Sequence, residues 1–181
     1  KNKVNFLDNT SMFKRIKSTN NLEDNNSLNA FSDNASAIEG YDIKTIKSVN
    51  IDNKYEPTTI NICPTHTAET HNFPTGVCPF PGAATGTGGR IRDTIAIGRG
   101  GEKISGYVGY SVGNINSDND LDYPYENPKN ILIKASNGAS DYGNKIGEPV
   151  TSGFTRSFGM KNEKRIEYVK PILYSASNGY I

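Results

Sequence analysis

Residues 69–93, ETHNFPTGVCPFPGAATGTGGRIRD, hold a carboxylate, a histidine, an amide, a run of small residues and an Arg-Asp pair. Residues 82–89 (GAATGTGG) have no large side chain, so a backbone there approaches a ligand closely. We predict a glycine-rich loop whose successive N–H groups form a nest for an anion such as phosphate. Pro74, Pro79 and Pro81 predict irregular backbone ahead of that loop.

The glycine-rich stretch does not match the common phosphate-binding motifs. No Lys-Ser/Thr pair follows the last glycine, as a P-loop requires, and no G-x-G-x-x-G spacing opens a helix. A glycine-rich stretch alone is most often a tight connection. The charged and polar neighbours on both sides of it favour a ligand site instead.

Those neighbours have the chemistry of a phosphate and metal site. Glu69 and Asp93 offer hard oxygen ligands for Mg²⁺, and phosphate oxygens would complete the coordination shell. Arg92 has the forked geometry that binds phosphate or carboxylate. His71 exchanges a proton near neutral pH or donates to a developing charge. The alternative is a surface Glu69–Arg92 pair and a polar loop histidine, but their concentration in one segment favours a site.

This stretch resembles the signature of the phosphoribosylformylglycinamidine synthase family, in its eukaryotic-type large form. Residues 69–75 fit the family pattern E-[ST]-H-N-[HF]-P-[ST], and residues 82–93 fit G-A-[AT]-T-G-x-G-G-x-I-R-D without a gap. Phe73 is the residue found in the large form. The likeness continues through SNGASDYGNK at 136–145 and GEPV at 147–150, so it covers nearly all of the chain. The family enzyme is far longer, so we expect a fragment of its synthetase region.

The resemblance implies an α/β (α+β) fold, the N-terminal half of an aminoimidazole-ribonucleotide-synthetase-like ATP-binding domain. It implies a β-rich sheet with flanking helices that pairs with a counterpart sheet, as a pseudo-dimer or homodimer. It also implies an ATP-dependent ligase of purine biosynthesis that uses Mg²⁺. Formylglycinamide ribonucleotide is the substrate, and ammonia comes from a glutaminase domain elsewhere in the full protein.

The family pattern also implies roles for individual residues. His71 would be catalytic, acting on the amide oxygen or on the intermediate, and Glu69 and Asp93 would bind Mg²⁺. Thr70, Asn72 and Arg92 would bind substrate. The expected ATP-binding residues are Gly82, Ala83, Ala84, Thr85, Gly86, Thr87, Gly88, Gly89, Arg90, Ile91, Arg92, Asp93, Ser152, Gly153 and Phe154.

Two other functions remain open at this stage. Another ATP-dependent enzyme of the same superfamily would share the fold, although the T-H-N-F-P sequence argues against it. A non-catalytic structural or assembly module, or a degenerate copy, is the second alternative. It follows from residues 175–179 (SASNG), which replace the S-G-G-I-G expected after K-P-I and would place bulkier residues near the nucleotide.

Composition narrows the functional class. The formal net charge of +1 over 181 residues argues against a nucleic-acid partner. No apolar run approaches the roughly 18 residues that span a membrane, and the polar first residues do not form a signal peptide, so we expect a cytoplasmic protein. Cys63 and Cys78 lack the spacing of a zinc site. We divide the chain into residues 1–40, a helix and Asn-rich loop, and residues 41–181, the ATP-binding half-domain.

Hydrophobic periodicity predicts the elements around the motif. A short helix begins near Thr10 or Ser11, a polar loop covers residues 20–29, and a short strand covers residues 28–31. A second helix begins at Pro149. The predicted strands are 41–51, 58–63, 94–98, 104–115, 130–134 and 167–176, with a loop at 117–128.

Overall fold

The 69–93 stretch forms the end of one strand and two helices in the computed structural model, which describes residues 10–48, 54–116 and 124–181. The helices are α1 (Met12–Ser18), α2 (Asn72–Val77), α3 (Pro79–Ile95) and α4 (Pro128–Ile146), with a 3₁₀ turn at Thr19–Asn21. The strands are β1 (Ser27–Asn29), β2 (Ala35–Ile38), β3 (Tyr41–Ser48), β4 (Tyr55–Ile62), β5 (Pro64–Thr70), β6 (Glu102–Val112), β7 (Val150–Ser157), β8 (Gly159–Lys161), β9 (Arg165–Glu167) and β10 (Ile172–Tyr180).

Six strands form one sheet in the order β1-β2-β5-β10-β6-β7. All neighbours are antiparallel except β6 and β7, which run parallel because α4 returns the chain between them. Two separate hairpins, β3–β4 and β8–β9, complete the described strands. The predicted α/β (α+β) class is confirmed.

The core lies between one face of the sheet and the helices α3 and α4. Ala83 of α3 and Ala139 of α4 pack with Val108 and Leu173 of the central strands, and all four are buried. Side chains alternate along a strand, so the neighbours of these core residues, such as Tyr107 beside Val108, point to the opposite face of the sheet. Small residues on both helices allow a close approach to the sheet.

The predicted glycine-rich loop is wrong, because residues 82–89 lie inside the 17-residue helix α3. Pro79 and Pro81 are tolerated in the first turn, where backbone N–H groups have no partner within the helix. Close packing requires glycine in this helix, since a Cβ at Gly82 would lie 2.6 Å from the backbone of Pro74. Helical N–H groups donate to carbonyls one turn earlier, so they do not form the predicted anion nest.

Three other local predictions are wrong for related reasons. Residues 94–98 end α3 and turn instead of forming a strand, and residues 130–134 lie in α4. In α4, Gly138 lies against the backbone of Phe80, where no Cβ fits. The predicted helix from Pro149 is strand β7, because its backbone completes the sheet edge beside β6.

Several predictions are confirmed. Ser11 caps α1 and accepts a hydrogen bond from the backbone N–H of Lys14 at 3.3 Å. Strands β3, β4, β6 and β10 overlap the predicted strands, and a break at buried Pro171 separates β10 from β9. Residues 49–51 and 117–123 of the predictions lie outside the described residues. Strand β1 at Ser27–Asn29 overlaps both the predicted 20–29 loop and the predicted short strand at 28–31.

The N-terminal segment joins the main sheet through β1 and β2. Ala35 and Ala37 of β2 are buried with Ile97, which follows α3. The division of the chain at residue 40 stays a prediction. Within the described ranges, no helix is long and apolar enough to cross a membrane.

Candidate functional site

A cleft of about 670 Å³ opens between the end of β5 and the second half of α3, with the end of α4 on its other side. The sequence motif thus folds around a cavity: β5 brings its first residues and α3 its last. The predicted site residues that line the cleft are Glu69, Thr70, His71, Thr85, Gly86, Gly88, Gly89, Arg90, Ile91, Arg92 and Asp93.

Other predicted residues lie outside this cleft. Ala83 is in the hydrophobic core, and Thr87 is fully buried inside α3. Asn72 holds the fold, because its side-chain oxygen accepts a hydrogen bond from the backbone N–H of Leu173 at 3.2 Å. Gly82 packs against α2, and Ala84 is half-buried beside it.

The two predicted metal ligands share the cleft. Glu69 is exposed near the end of β5, and Asp93 is half-buried on α3. The Asn34 side-chain nitrogen donates to Asp93 Oδ1 at 3.3 Å and orients that carboxylate. No group of three or more His, Cys, Asp or Glu side chains forms a metal cluster in the described residues. Two carboxylates suit Mg²⁺, which commonly takes one or two carboxylates together with water and phosphate oxygens.

His71 occupies the junction between β5 and α2. Its backbone N–H donates to the carbonyl of Leu173 at 3.0 Å, and its own carbonyl accepts from the hydroxyl of Thr75. The ring is half-buried, and Nδ1 is buried with no hydrogen-bond partner among the described residues. His71 lines the cleft, and a buried ring nitrogen without a hydrogen-bond partner is uncommon in folded proteins.

The side of the cleft formed by α4 is largely apolar, and sequence analysis missed it. Tyr142 and Ile146 face the cleft together with Ile95 of α3. Gly88 makes room for this wall, because a Cβ there would lie 2.5 Å from the Tyr142 ring. The SNGASDYGNK motif carried the signal for Tyr142, and Asn34 lies in residues 32–40 (SDNASAIEG). Neither had an assigned role, because only folding brings them to the motif.

Ser152, Gly153 and Phe154 line a second cleft of about 420 Å³ between α4 and the edge strand β7. Tyr110 lies in this second cleft, where burial raises its pKa and a hydrogen bond with Ser136 opposes that rise. The structure therefore separates the predicted ATP-binding residues of β7 from those of α3.

The SASNG sequence at 175–179 lies in the central strand β10. Ser175 and Ser177 are buried and hydrogen-bonded to Arg90 and Glu148, respectively. Neither serine lines the cleft. Ser175 matches the serine of the expected pattern, whereas Ser177 stands where that pattern has glycine, and its larger side chain is accommodated inside the core.

Comparison with known proteins gives strong sequence matches. The chain is 50% identical over 186 residues to the probable phosphoribosylformylglycinamidine synthase of Caenorhabditis elegans, covering 94% of this chain and 14% of that protein. It is 43% identical over 183 residues to the phosphoribosylformylglycinamidine synthase of Homo sapiens, covering 93% of this chain and 14% of that protein. The chain thus spans about 14% of the length of these curated relatives. No family model matches it.

Solved structures match the fold. The structure of PurLQS from Thermotoga maritima matches with a TM-score of 0.60 at 12% identity, covering 86% of this chain and 21% of that one. PurL of the same organism, complexed with ADP, matches with a TM-score of 0.52 at 20% identity over 84% of this chain and 19% of that one. These matches confirm the fold that the sequence resemblance implied.

Proposed function

Over the stretch that it covers, this chain belongs to the phosphoribosylformylglycinamidine synthase family, and we propose that it forms part of the synthetase site of such an enzyme. The enzyme converts formylglycinamide ribonucleotide, glutamine and ATP into formylglycinamidine ribonucleotide, glutamate, ADP and phosphate. The observation that carries this proposal is the convergence of Glu69, His71, Arg92 and Asp93 on one cleft.

The difficult step is loss of the amide oxygen, which is a poor leaving group. The amide oxygen attacks the γ-phosphorus of ATP, ADP departs and the amide nitrogen loses its proton, which gives an iminophosphate. Ammonia then adds at the amide carbon, and the oxygen leaves with the phosphate. Binding both substrates in one cleft removes most of the entropic cost of their encounter.

Each cleft residue has a role in that step. Arg92 is exposed in the cleft wall and forks onto a phosphate of the substrate. His71 supplies a hydrogen bond or a proton to the amide oxygen, where negative charge develops. Thr70 and Thr85 offer hydroxyl groups from the two facing elements. The apolar wall at Tyr142 excludes water from one side of the cleft.

Mg²⁺ fits the donor set of this cleft. Glu69 and Asp93 would hold it, with Asn34 orienting the Asp93 carboxylate. When bound, Mg²⁺ neutralises charge on the transferring phosphoryl group. Phosphate oxygens would complete its coordination, which would make metal and nucleotide binding mutually dependent.

The sheet face opposite the helices is the proposed pairing surface for a counterpart sheet. His66, Tyr107, Tyr174 and Phe154 form a row of contacting rings on it, and the Arg156 guanidinium lies 4.9 Å above the Phe154 ring. Rows of aromatic side chains are typical of protein interfaces.

Ammonia would come from a glutaminase elsewhere in the full-length protein. We place the full-length protein in the cytoplasm.

Steady-state kinetics of the full-length protein test the proposal. We expect ADP release to require both formylglycinamide ribonucleotide and an ammonia source, either glutamine or ammonium. ADP release that is unaffected by omission of the ribonucleotide would contradict the proposed substrate. Unchanged turnover in Glu69→Ala and Asp93→Ala variants would remove the cleft from the reaction.

A further inference from the structure

Arg90 and Glu148 form an ion pair whose two side chains are 0% exposed. Arg90 comes from α3, and Glu148 follows Gly147, whose φ of 72° ends α4. The backbone N–H of Glu148 donates to the carbonyl of Gly143 at 2.9 Å. The pair therefore joins α3 to the junction between α4 and β7.

Two serines of the central strand complete this pair. Arg90 Nε donates to Ser175 Oγ at 3.1 Å, and the hydroxyl of Ser177 donates to Glu148 Oε2 at 3.0 Å. Ser175 and Ser177 are two residues apart on β10, so their side chains point to the same face. We call these four side chains the buried tetrad: Arg90, Glu148, Ser175 and Ser177.

The neighbouring strand is shaped around the buried tetrad. Gly106 of β6 lies opposite Ser177, and a Cβ there would meet Glu148 Oε1 and lie 2.7 Å from Arg90 Nη2. A buried ion pair loses much of its Coulombic gain to desolvation, so stability alone is a weak reason for it. Its hydrogen bonds constrain direction as well as distance, which sets the position of α3 over the sheet.

That position matters because two members of the buried tetrad neighbour the two predicted metal ligands, one along a helix and one across a strand ladder. Ser175 is the direct partner of Glu69 in the antiparallel ladder of β5 and β10. Asp93 follows Arg90 by three residues, about one turn of α3. The Arg90–Ser175 hydrogen bond thus connects the helix that carries Asp93 to the strand position beside Glu69.

We propose that the buried tetrad positions the Glu69 and Asp93 carboxylates relative to each other, so that together they hold one divalent cation. Arg90 and Ser175 are positioning residues here, and Ser177 holds the Glu148 carboxylate that fixes Arg90. This inference rests on the proposed function, because it assigns the two carboxylates to a metal.

The test measures Mn²⁺ binding to the full-length protein with saturating ADP, by electron paramagnetic resonance of the free ion. Mn²⁺ is the probe because it prefers the same oxygen ligands as Mg²⁺. Ser175→Ala removes the acceptor for Arg90, and Arg90→Lys keeps the charge without the fork. Ser175→Ala is the milder change and keeps the test valid if Arg90→Lys does not fold.

Glu167→Gln is the matched control. Glu167 is 5% exposed and accepts from Arg165 Nε at 2.6 Å, so it also belongs to a largely buried Arg–Glu pair, which lies outside the cleft. We expect this variant to lower the thermal midpoint without changing Mn²⁺ affinity. Ser175→Ala should weaken Mn²⁺ binding about 10-fold, the lower end for residues that orient metal ligands. Excess Mg²⁺ should then restore part of kcat.

Two results would overturn the inference, and they differ. If the wild-type protein binds Mn²⁺ while Ser175→Ala and Arg90→Lys bind it equally well, the buried tetrad serves stability only. If the wild-type protein with ADP binds no Mn²⁺, the proposed metal site fails, and the positioning role fails with it.

Discussion

Gly86 of α3 lies directly against His71, so that a Cβ atom at Gly86 would stand 2.6 Å from His71 Cβ. The same atom would lie 3.1 Å from the Leu173 side chain. Any residue larger than glycine must therefore displace the histidine or the helix. The small residues of the motif shape the cleft by allowing α3 to pack closely.

We predict that Gly86→Ala destabilises the protein although alanine favours helices. Overpacking against His71 and Leu173 should cost about 1–3 kcal/mol in the free energy of unfolding. The thermal midpoint should fall, and His71 should be displaced in a crystal structure of the variant. Gly89→Ala is the control, because nothing lies within 4 Å of its Cβ position. It should raise stability by about 0.5–1 kcal/mol. Equal effects of the two substitutions would exclude the packing explanation.

We predict that Glu69→Ala and Asp93→Ala lower both kcat and the apparent Mg²⁺ affinity of the full-length enzyme. Each change removes one anionic ligand, so excess Mg²⁺ should restore part of the rate. Titration of activity with Mg²⁺ measures this. Glu126→Ala is the control, since Glu126 forms an exposed pair with Lys134 away from the cleft. A Mg²⁺ dependence identical to wild type in both cleft variants would contradict the metal assignment.

His71→Ala should lower kcat by roughly 10²–10⁴-fold, the range for acid–base or charge-stabilising groups. Substrate and Mg²⁺ affinities should change little, because the histidine acts on charge that develops during the reaction. Glutamine hydrolysis should continue without forming product. Cys78→Ser, an exposed change between α2 and α3, should keep the wild-type rate. A near-normal kcat in His71→Ala would exclude a catalytic role.

The burial of Tyr110 predicts a loss of stability at high pH. Burial raises its pKa above the ordinary value of 10.0, so the folded state keeps the proton longer than the unfolded state. Below pH 10, Tyr110 is protonated in both states and does not change the free energy of unfolding. Above pH 10, Tyr110 ionises first in the unfolded chain, so the folded state loses stability as the pH rises. Thermal midpoints of this chain between pH 9 and 11 measure the loss. Tyr110→Phe should show a weaker dependence, and an unchanged slope would show that other groups cause it.

The sequence by itself determined the family and the polar motif residues that meet in the cleft, but not its apolar wall. Glu69, His71 and Asp93 were found from their types and spacing, because short motifs keep their chemistry whatever backbone carries them. The strands β4 and β6 and the Ser11 cap were also predicted, since alternation and capping are local properties.

Only the tertiary structure decided that the glycine-rich segments are helical and which buried polar side chains contact one another. Residues 82–89 suggest a loop because glycine and proline disfavour helices in isolation. Yet His71, Pro74 and Tyr142 lie so close to α3 that only small residues fit there, and all three lie outside that helix. The buried tetrad likewise joins Arg90 to Glu148, 58 positions later, and to Ser175, 85 positions later. Local sequence carries no signal for such contacts, because their energies arise only when the folded chain excludes water.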